Sequence, residues 1–429
     1  MKRVIPAVLI AILAMTATAQ TRLTFDEALR RAMEVNNSVE RQREQIGVAT
    51  AQRDQLLSAV LPRITFNGDL TRNSLEQRFG EGDDAIAILP RNDWAYRVTL
   101  EQPVYAGRRE LRAYSQAKLN VENAREGTRG SEDAALLRVS SAYLAVVNAD
   151  RRVDVELKNI GLADRRLKQA QAFYEAGEVT KVDVFRAETA MKAAQRLMAV
   201  AVQQREHAVS QLRAELDLDG TIEVTVPERP LPQLPAESEL IAHAEASRPD
   251  VDIAENNLRI AQLEVSKQRG YWLPTVRFDG GFVQQKSPFP AAQYSYGAFR
   301  FTVPIFQSGE VVARVAGAKS FEKQAEIELD TAKTGAREDV RRALADLRSA
   351  ETGLQLAGEQ LEAAQAEYEQ AFELYRAQEA TSLDLASSEA SLADARRAVA
   401  EETMNRDLAE LRVWYAAGNI KTAVGVTKE

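Results

Sequence analysis

Two long stretches of the chain repeat apolar residues at alternating spacings of three and four. The first contains Leu136, Val139, Tyr143, Val146, Val153, Leu157, Ile160 and Leu167. The second contains Val340, Leu344, Leu347, Leu354, Leu361, Tyr368, Phe372 and Tyr375. Such sustained spacing is typical of coiled coils, and proline, which breaks helix interiors, is absent from both stretches. An ordinary helical bundle would show the same stripe, but a helix from about Arg108 to Tyr174 would be roughly 100 Å long, which favours a coiled-coil-like assembly.

Each long helix is predicted to end at a short polar segment and to be followed by a second helix, which makes two helical hairpins. The polar segments are 176–180 in the first hairpin and 377–381 in the second. Thr180 and Thr381 close these segments and are suited to be N-caps of the following helices. The second helices should extend to about Glu215 and Ala417.

Residues 63–104 and 275–304 show a different pattern, in which apolar and polar residues alternate. Four segments of about ten residues have this pattern, which is typical of transmembrane β-strands with one face toward lipid. A soluble sheet with one wet face is the alternative. On the membrane interpretation, one face carries Phe66, Val98, Phe278 and Phe301 toward lipid. The other face carries Asn67, Thr99, Asp279 and Arg300 toward the lumen.

Four strands are too few to close a barrel, and lipid does not tolerate an open sheet edge. The missing strands must therefore come from further copies of the chain. The alternation thus predicts a homo-oligomeric barrel.

The order of elements occurs twice along the chain. Leu61-Pro62 recurs as Leu273-Pro274, 212 residues later, and Pro103-Val104-Tyr105 recurs as Pro304-Ile305-Phe306, 201 residues later. The difference between the two shifts indicates a longer loop in the first copy. A tandem duplication of this size means that each half is a structural unit.

These boundaries predict a division of the chain into four parts. They are a signal peptide at 1–19, a first repeat at 20–216, a proline-rich linker at 217–236 and a second repeat at 237–429. The first repeat contains a β-hairpin at 63–104 and a helical hairpin at 108–216. The second repeat contains a β-hairpin at 275–304 and a helical hairpin at 308–418. The signal peptide is predicted from Lys2 and Arg3, the apolar run that follows them, and the segment Ala17-Thr18-Ala19.

Composition restricts the chemistry that the chain can perform. The chain contains no cysteine, which excludes disulfides and cysteine-based metal sites. Its 55 basic and 63 acidic residues are interspersed, which argues against nucleic acid as a partner. The two histidines are isolated and no glycine-rich phosphate loop is present. We therefore expect no enzymatic activity, no cofactor and no metal; Asp250 and Asp252 after Pro249 are better explained as a helix start.

The duplicated order of helix, Leu-Pro, β-hairpin and helical hairpin resembles the TolC-like outer-membrane efflux protein family. The residues that carry the resemblance are LPRITF and LPTVRF, the strand ends QPVY and VPIF, and the segments YEAGEVTKVDV and YRAQEATSLDL. The resemblance implies an α+β membrane protein that forms a trimer with one twelve-stranded barrel, continued by a helical tunnel in the periplasm. It also implies a passive exit duct in the outer membrane, joined to an inner-membrane transporter by a periplasmic adaptor (membrane fusion) protein.

The resemblance places a channel gate and an adaptor contact at the hairpin ends. The gate residues that it implies are Asp183, Asp384, Tyr174, Tyr375 and Ser387. The adaptor-contact residues are Gly177, Glu178, Val179, Thr180, Gln378, Glu379, Ala380, Thr381 and Ser382. Ser387 and Ala380 depart from the family, which often has an acidic and a basic residue there. Asp183 and Asp384 are equally suited to be first-turn acids that complement a helix dipole.

A periplasmic adaptor, or another structural coiled-coil protein of an envelope-spanning complex, is the alternative function. Such a protein also contains a long helical hairpin. It should, however, have one hairpin flanked by small soluble β-domains, whereas this chain has two hairpins and two amphipathic strand pairs. The channel is therefore the favoured prediction, and the sequence leaves its cargo open.

Overall fold

The computed structural model of the chain describes residues 21–80, 82, 86–220, 222–226, 231–288 and 290–426. The predicted signal peptide at 1–19 lies outside these residues, as do residues 221 and 227–230 of the predicted linker. The helices are α1 Phe25–Val35, α2 Asn37–Ser58, α3 Arg109–Glu175, α4 Lys181–Leu216, α5 Glu237–Ser247, α6 Pro249–Arg269, α7 Glu310–Arg376, α8 Ser382–Ala416 and α9 Ile420–Ala423. The strands are β1 Thr21–Leu23, β2 Arg63–Arg72, β3 Gln77–Phe79, β4 Ile86–Leu89, β5 Asn92–Ala106, β6 Ile222–Val224, β7 Thr275–Gln285 and β8 Gln293–Thr302.

The two predicted helical hairpins are present, formed by α3 with α4 and by α7 with α8. Helices α3 and α7 contain 67 residues each, and they end one residue beyond Tyr174 and Tyr375. The predicted α+β fold with a tandem duplication is therefore confirmed. No helix in the described part of the chain combines the length and apolar character needed to cross a membrane.

The chain forms two compact units. One unit contains the described chain up to Asn37, Asp133–Glu237 and the chain from Arg341 onward. The other unit contains Ser38–Glu132 and Ser238–Val340. Each unit thus contains segments from both halves of the sequence. Helices α3 and α7 each belong to both units, since the boundary between the units falls after Glu132 in α3 and after Val340 in α7.

In the first unit, the buried core packs α1, α3, α4 and the C-terminal helices around Tyr143. The Tyr143 ring is fully buried, and its hydroxyl lies 2.9 Å from the carbonyl oxygen of Leu23 and 2.6 Å from that of Thr225. These contacts hold the short parallel pair of β1 and β6, which the sequence pattern did not predict. Three-residue strands are too short to show an alternation.

In the second unit, four strands form one antiparallel sheet in the order β2-β5-β7-β8. The central pair joins the two repeats, since β5 belongs to the first and β7 to the second. Within the described residues, β2 and β8 are the outer strands, and each has a neighbour on one side. A separate small hairpin of β3 and β4, also missed by the sequence pattern, lies in the long loop of the first repeat.

The register of this sheet separates its two faces as the alternation predicted. Phe66, Val98 and Phe282 lie directly opposite one another on adjacent strands, and Phe278 lies opposite Phe299. This apolar face is solvent-exposed in the single chain, and its large side chains include Ile64 (71% exposed), Phe66 (68%), Leu70 (79%) and Phe301 (70%). An exposed apolar surface of this extent marks a membrane or protein contact.

The opposite face of the sheet carries paired charges. The Asp279 carboxylate lies 2.8 Å from Arg277 Nε and 2.5 Å from Arg300 Nε. The hydroxyls of Thr65 and Thr99 are 2.5 Å apart across β2 and β5. Asn67, Thr99, Asp279 and Arg300 therefore share one face, as predicted.

Leu157 belongs to the predicted apolar stripe of α3, and its side chain is 59% exposed in the single chain. Glu156 and Asn159 are buried there instead, at 5% and 6% exposure. The cause is an ion pair, because Arg397 Nε of α8 donates to Glu156 Oε1 at 2.7 Å. Turning Glu156 inward turns its neighbour Leu157 outward.

The two repeats touch backbone to backbone at Gly107 and Gly270. A Cβ atom at Gly107 would lie 2.2 Å from the Gly270 carbonyl oxygen, and one at Gly270 would lie 2.6 Å from the Gly107 carbonyl oxygen. Gly107 also has a φ of 66°. Beside this contact, Tyr271 is stacked between the guanidinium groups of Arg109 and Arg314, at 4.3 and 4.7 Å.

We predict that Gly270→Ala destabilises the protein by about 1–3 kcal/mol, because the added methyl group overpacks a contact between backbones. The matched control is Gly335→Ala, at a helix position where a Cβ atom would meet nothing within 4 Å. That change should stabilise the protein by up to about 1 kcal/mol through helix propensity. Thermal unfolding of the purified protein in detergent compares them, and an unchanged melting temperature for Gly270→Ala would contradict the prediction.

Candidate functional site at the hairpin ends

Both hairpin turns end in the same capping arrangement. Thr180 and Thr381 have extended backbone and precede α4 and α8. The Thr180 hydroxyl donates to Asp183 Oδ2 at 2.9 Å, and the Thr381 hydroxyl donates to Asp384 Oδ2 at 2.6 Å. The amide of each threonine also donates to the same carboxylate oxygen, at 3.2 and 2.9 Å. Both aspartates thus satisfy donors at a helix start.

The two aspartates differ in what else they contact. The Ser382 hydroxyl at the start of α8 donates to Asp183 Oδ1 at 2.5 Å, which links the second hairpin to the first. Asp384 is exposed, and its carboxylate serves its own helix cap. A second link joins the turns, where Gln378 Nε2 donates to Glu178 Oε2 at 2.7 Å.

A buried ion pair lies behind these links. Arg166 of α3 approaches Glu389 of α8, with Nη1 at 3.1 Å from Oε2, and the two side chains are 6% and 12% exposed. The other terminal nitrogen of Arg166 donates to the carbonyl oxygen of Ser382 at 3.0 Å. Arg166, Ser382 and Asp183 therefore form a continuous polar network through α3, α8 and α4. We call this set, with Glu389, the hairpin link.

The matching tyrosines of the two repeats also have different environments. Tyr375 is buried at 5% exposure, with its ring 5.7 Å from that of Phe173, whereas Tyr174 is 44% exposed. Burial raises the pKa of Tyr375, and the nearby Asp183 carboxylate raises it further. The first repeat thus contributes an exposed tyrosine and the second a packed one.

The charges of the hairpin link follow from these contacts. The Ser382 hydrogen bond, ahead of the Thr180 bonds, lowers the pKa of Asp183. The Thr381 hydrogen bonds lower the pKa of Asp384. Burial raises the pKa of Glu389, with the Arg166 guanidinium acting in the opposite direction. Both aspartates are therefore anionic at neutral pH, one within a network and one facing solvent.

The turns also present apolar side chains to solvent. Val182 and Phe185 of α4 are 54% and 53% exposed, and Leu383 of α8 is 66% exposed. Lys181 Nζ lies 5.4 Å from the centre of the Phe185 ring. Exposed apolar residues beside polar turns are suited to binding another protein.

A family model described as "Outer membrane efflux protein" matches residues 28–216 and 240–419. The chain belongs to the outer membrane efflux protein family. This membership confirms the predictions of an outer-membrane location and of an exit channel for efflux, and it disfavours the alternative of a periplasmic adaptor.

Individual relatives and structures agree with this family. The outer membrane efflux protein BepC of Brucella suis is 22% identical over 420 residues, which cover 96% of this chain and 89% of that protein. A membrane protein of Pseudomonas aeruginosa has a TM-score of 0.79 at 19% identity, covering 92% of this chain and 90% of that one. The MtrE outer membrane channel of Neisseria gonorrhoeae, in its open state, has a TM-score of 0.74 at 20% identity, covering 92% and 89%. These structures share the fold of this efflux protein.

The structure brings some of the predicted site residues together and leaves others apart. Asp183, Tyr375 and Ser382 lie at one cleft between the two turns, with Glu178 and Gln378. Tyr174, Asp384 and Ser387 are exposed. Their roles in a gate remain predictions, as do the adaptor contacts of the turn residues.

Two residues of the hairpin link, Arg166 and Glu389, were missed by sequence reasoning. They are 223 positions apart and lie on different helices. Neither residue lies at a position of the apolar stripes that the sequence predicted, so the sequence pattern did not mark them.

We predict that Glu389→Gln lowers the melting temperature of this efflux protein, because Arg166 would remain buried without a counter-charge. Removing one partner of a buried pair costs up to about 3–5 kcal/mol. The control is Glu373→Gln, which breaks an exposed ion pair with Arg376. The side chains of Glu373 and Arg376 are 68% and 58% exposed. Exposed pairs contribute at most about 1 kcal/mol. Equal melting temperatures for both variants would show that the hairpin link does not hold the helices.

Proposed function

We propose that three copies of this chain form one channel, with a barrel built from the β2-β5-β7-β8 sheets and a tunnel formed by the helical hairpins. The channel is a passive exit duct rather than an enzyme. An inner-membrane transporter supplies its cargo through a periplasmic adaptor. The observation that supports this most is the four-stranded sheet, which has one apolar face and one charged face. Among the described residues, each of its two outer strands has a neighbour on one side.

The physical argument begins with the two faces. Residues such as Phe66 and Phe301 are more than two thirds exposed, which water disfavours and lipid favours. On the other face, Asp279 is paired with two arginines, which suits an aqueous lumen. A sheet with this division functions in a membrane when its edges are closed.

The apolar residues exposed on the helices support the association of several copies. Leu157, Phe321, Ile327 and Leu356 are all more than half exposed. Leu and Phe at regular positions along long helices are normally covered by neighbouring helices. Packing between copies would cover them.

We propose that the turns between the long helices contact the adaptor. The contact includes the turn residues Gly177–Thr180 and Gln378–Ser382, as the sequence predicted. It also includes the apolar side chains of Val182, Phe185 and Leu383 beside them, which the sequence pattern did not single out.

We propose different roles at the gate for the two matching aspartates. Asp384, whose carboxylate faces solvent, supplies negative charge to the tunnel, where three copies form an acidic ring of the kind found in cation-selective pores. Asp183, bonded to Ser382, holds the two hairpins of one chain together. Tyr375 packs behind this link, and the exposed Tyr174 and Ser387 complete the narrow region.

The proposed lipid contact predicts unequal effects of arginine at two neighbouring positions. Phe66→Arg should reduce the amount of folded protein in lipid vesicles, because a cation at a mid-membrane lipid-facing position costs about 2–4 kcal/mol. Asn67→Arg, one residue away on the lumenal face, should have a much smaller effect. The readout is protease-resistant protein after insertion into vesicles, and equal tolerance at the two positions would show that the faces are assigned wrongly.

The proposed gate predicts separable effects on conduction in planar bilayers. Asp384→Asn should weaken the preference for cations and the block by multivalent cations, and Asp183→Asn plus Asp384→Asn should weaken them further. Ser382→Ala should instead raise the single-channel conductance, because it removes a hydrogen bond between the hairpins. Unchanged selectivity and block in a folded double variant would mean that both aspartates are helix caps and that the gate lies elsewhere.

A further inference from the structure

The outer strands of the sheet come from different ends of the duplicated sequence. Strand β2 begins the first repeat's strand pair, and β8 ends that of the second. Their apolar side chains are among the most exposed of the chain, including Leu70 at 79% and Phe301 at 70%. Any closed barrel must join these two strands between copies.

The duplication supplies the register of that junction. Strand β8 corresponds to β5 at a shift of 201 residues, as Pro304 corresponds to Pro103, and β2 corresponds to β7 at a shift of 212, as Pro62 corresponds to Pro274. Within the chain, β5 pairs with β7 in a defined antiparallel register. The same interaction between corresponding strands would join β8 to β2 of another copy.

We propose that β8 of one copy pairs with β2 of the next in the register of β5 with β7, so that Arg300 lies opposite Asp69 of the neighbouring copy. The proposal rests on the proposed homotrimeric barrel and adds to it the residues that meet at each junction. Within the chain, Thr99 lies opposite Gly281. Arg300 corresponds to Thr99 and Asp69 corresponds to Gly281, so the same register places Arg300 opposite Asp69. In the same way, Val98 lies opposite Phe282 within the chain, and the corresponding residues Phe299 and Leu70 would lie opposite each other between copies.

The transferred register places an arginine of one copy opposite an aspartate of the next. Arg300 shares Asp279 with Arg277, so two arginines face one carboxylate, and Arg300 remains 64% exposed. Asp69 is 58% exposed and has Arg97 at 3.5 Å. With Arg300 beside Asp69 of the next copy, positively and negatively charged side chains alternate across the junction. A shift of two residues would place Arg300 opposite Asn67 or Thr71 instead.

The apolar face is also complementary in this register. Leu100 lies opposite Gly280 within the chain. The residues that correspond to them are Phe301 and Gly68, which would therefore lie opposite each other between copies. Aromatic rings commonly cover glycines in neighbouring strands. The chain already contains such a contact, since a Cβ atom at Gly297 of β8 would lie 3.6 Å from the ring of Phe278 on the neighbouring strand β7.

The lengths of the corresponding strands give independent support. Strand β5, which has neighbours on both sides, continues to Ala106, whereas β8 ends at Thr302. The residues after Thr302 correspond to the end of β5, and Ile305 and Phe306 among them are 95% and 84% exposed. In the transferred register this segment lies opposite the start of β2 in the neighbouring copy, which extends β8 to the length of β5.

Disulfide formation can test the register, because the chain contains no cysteine. The test variant carries Arg300→Cys and Asp69→Cys in one chain. Directly opposite residues have Cβ atoms about 4.5–5.5 Å apart, which oxidation can bridge with a small movement. Within one chain, β2 and β8 are separated by two strands, or about 14 Å at the spacing of adjacent strands, so a disulfide there must join two copies.

The matched control is Arg300→Cys with Thr71→Cys, which keeps the same face and shifts the pair by two residues. Its Cβ atoms should be about 7–8 Å apart, beyond the reach of a disulfide. Phe299→Cys with Leu70→Cys tests the same register on the apolar face, should the lumenal pair prevent folding. After mild oxidation, non-reducing gels should show linked dimers and trimers for both matched pairs and single chains for the control.

Conductance in planar bilayers under reducing conditions shows whether each variant assembles a channel. Linked products from the control and none from the matched pairs would overturn the register. Conducting channels with no linked product from either matched pair would also overturn it, while leaving the proposed channel intact. Cysteine-free protein that forms no channel would instead refute the proposed function.

Discussion

Backbone hydrogen bonding limits how a four-stranded sheet can exist in a membrane. In the part of the chain that the structure describes, strands β5 and β7 have neighbours on both sides, whereas β2 and β8 each have one. In lipid, each unpaired amide or carbonyl group costs several kcal/mol, so these outer edges have to be closed. The duplication offers a direct solution, because the contact that joins the two repeats inside one chain can be repeated between chains. The exposed apolar face and the charged face then acquire their natural environments of lipid and water.

At the hairpin ends, the duplication has produced two similar parts with different contacts. Both repeats use threonine and aspartate to cap a helix, through hydroxyl-to-carboxylate hydrogen bonds of 2.9 and 2.6 Å. In the first repeat, however, Asp183 has gained a bond to Ser382, while Asp384 faces solvent. Ser382, Arg166 and Glu389 supply polar contacts from both repeats. The resemblance led us to expect a basic residue at position 380 and an acidic residue at position 387, where this chain has Ala380 and Ser387. The hairpin link connects the two hairpins through other residues.

Much of the fold could be predicted from the sequence because its main elements are long and periodic. The spacing of three and four and the absence of proline located α3 and α7 within about two residues, and the alternation assigned Phe66 and Asn67 to opposite faces. The errors involve interactions that leave no periodic signal. Arg166 and Glu389 meet across helices 223 residues apart in sequence, and β1 and β6 are too short to alternate. The capping threonines were predictable because a cap is a local arrangement, whereas the link from Asp183 to Ser382 was not.

The central claim is that this chain forms its membrane channel only together with other copies of itself. Native mass spectrometry of the protein, extracted from outer membranes in mild detergent, tests this claim most directly. The account predicts a particle of three chains, in which the edges of all three sheets are closed by β8 and β2. A stable single chain that holds all four strands in lipid and conducts ions would contradict it.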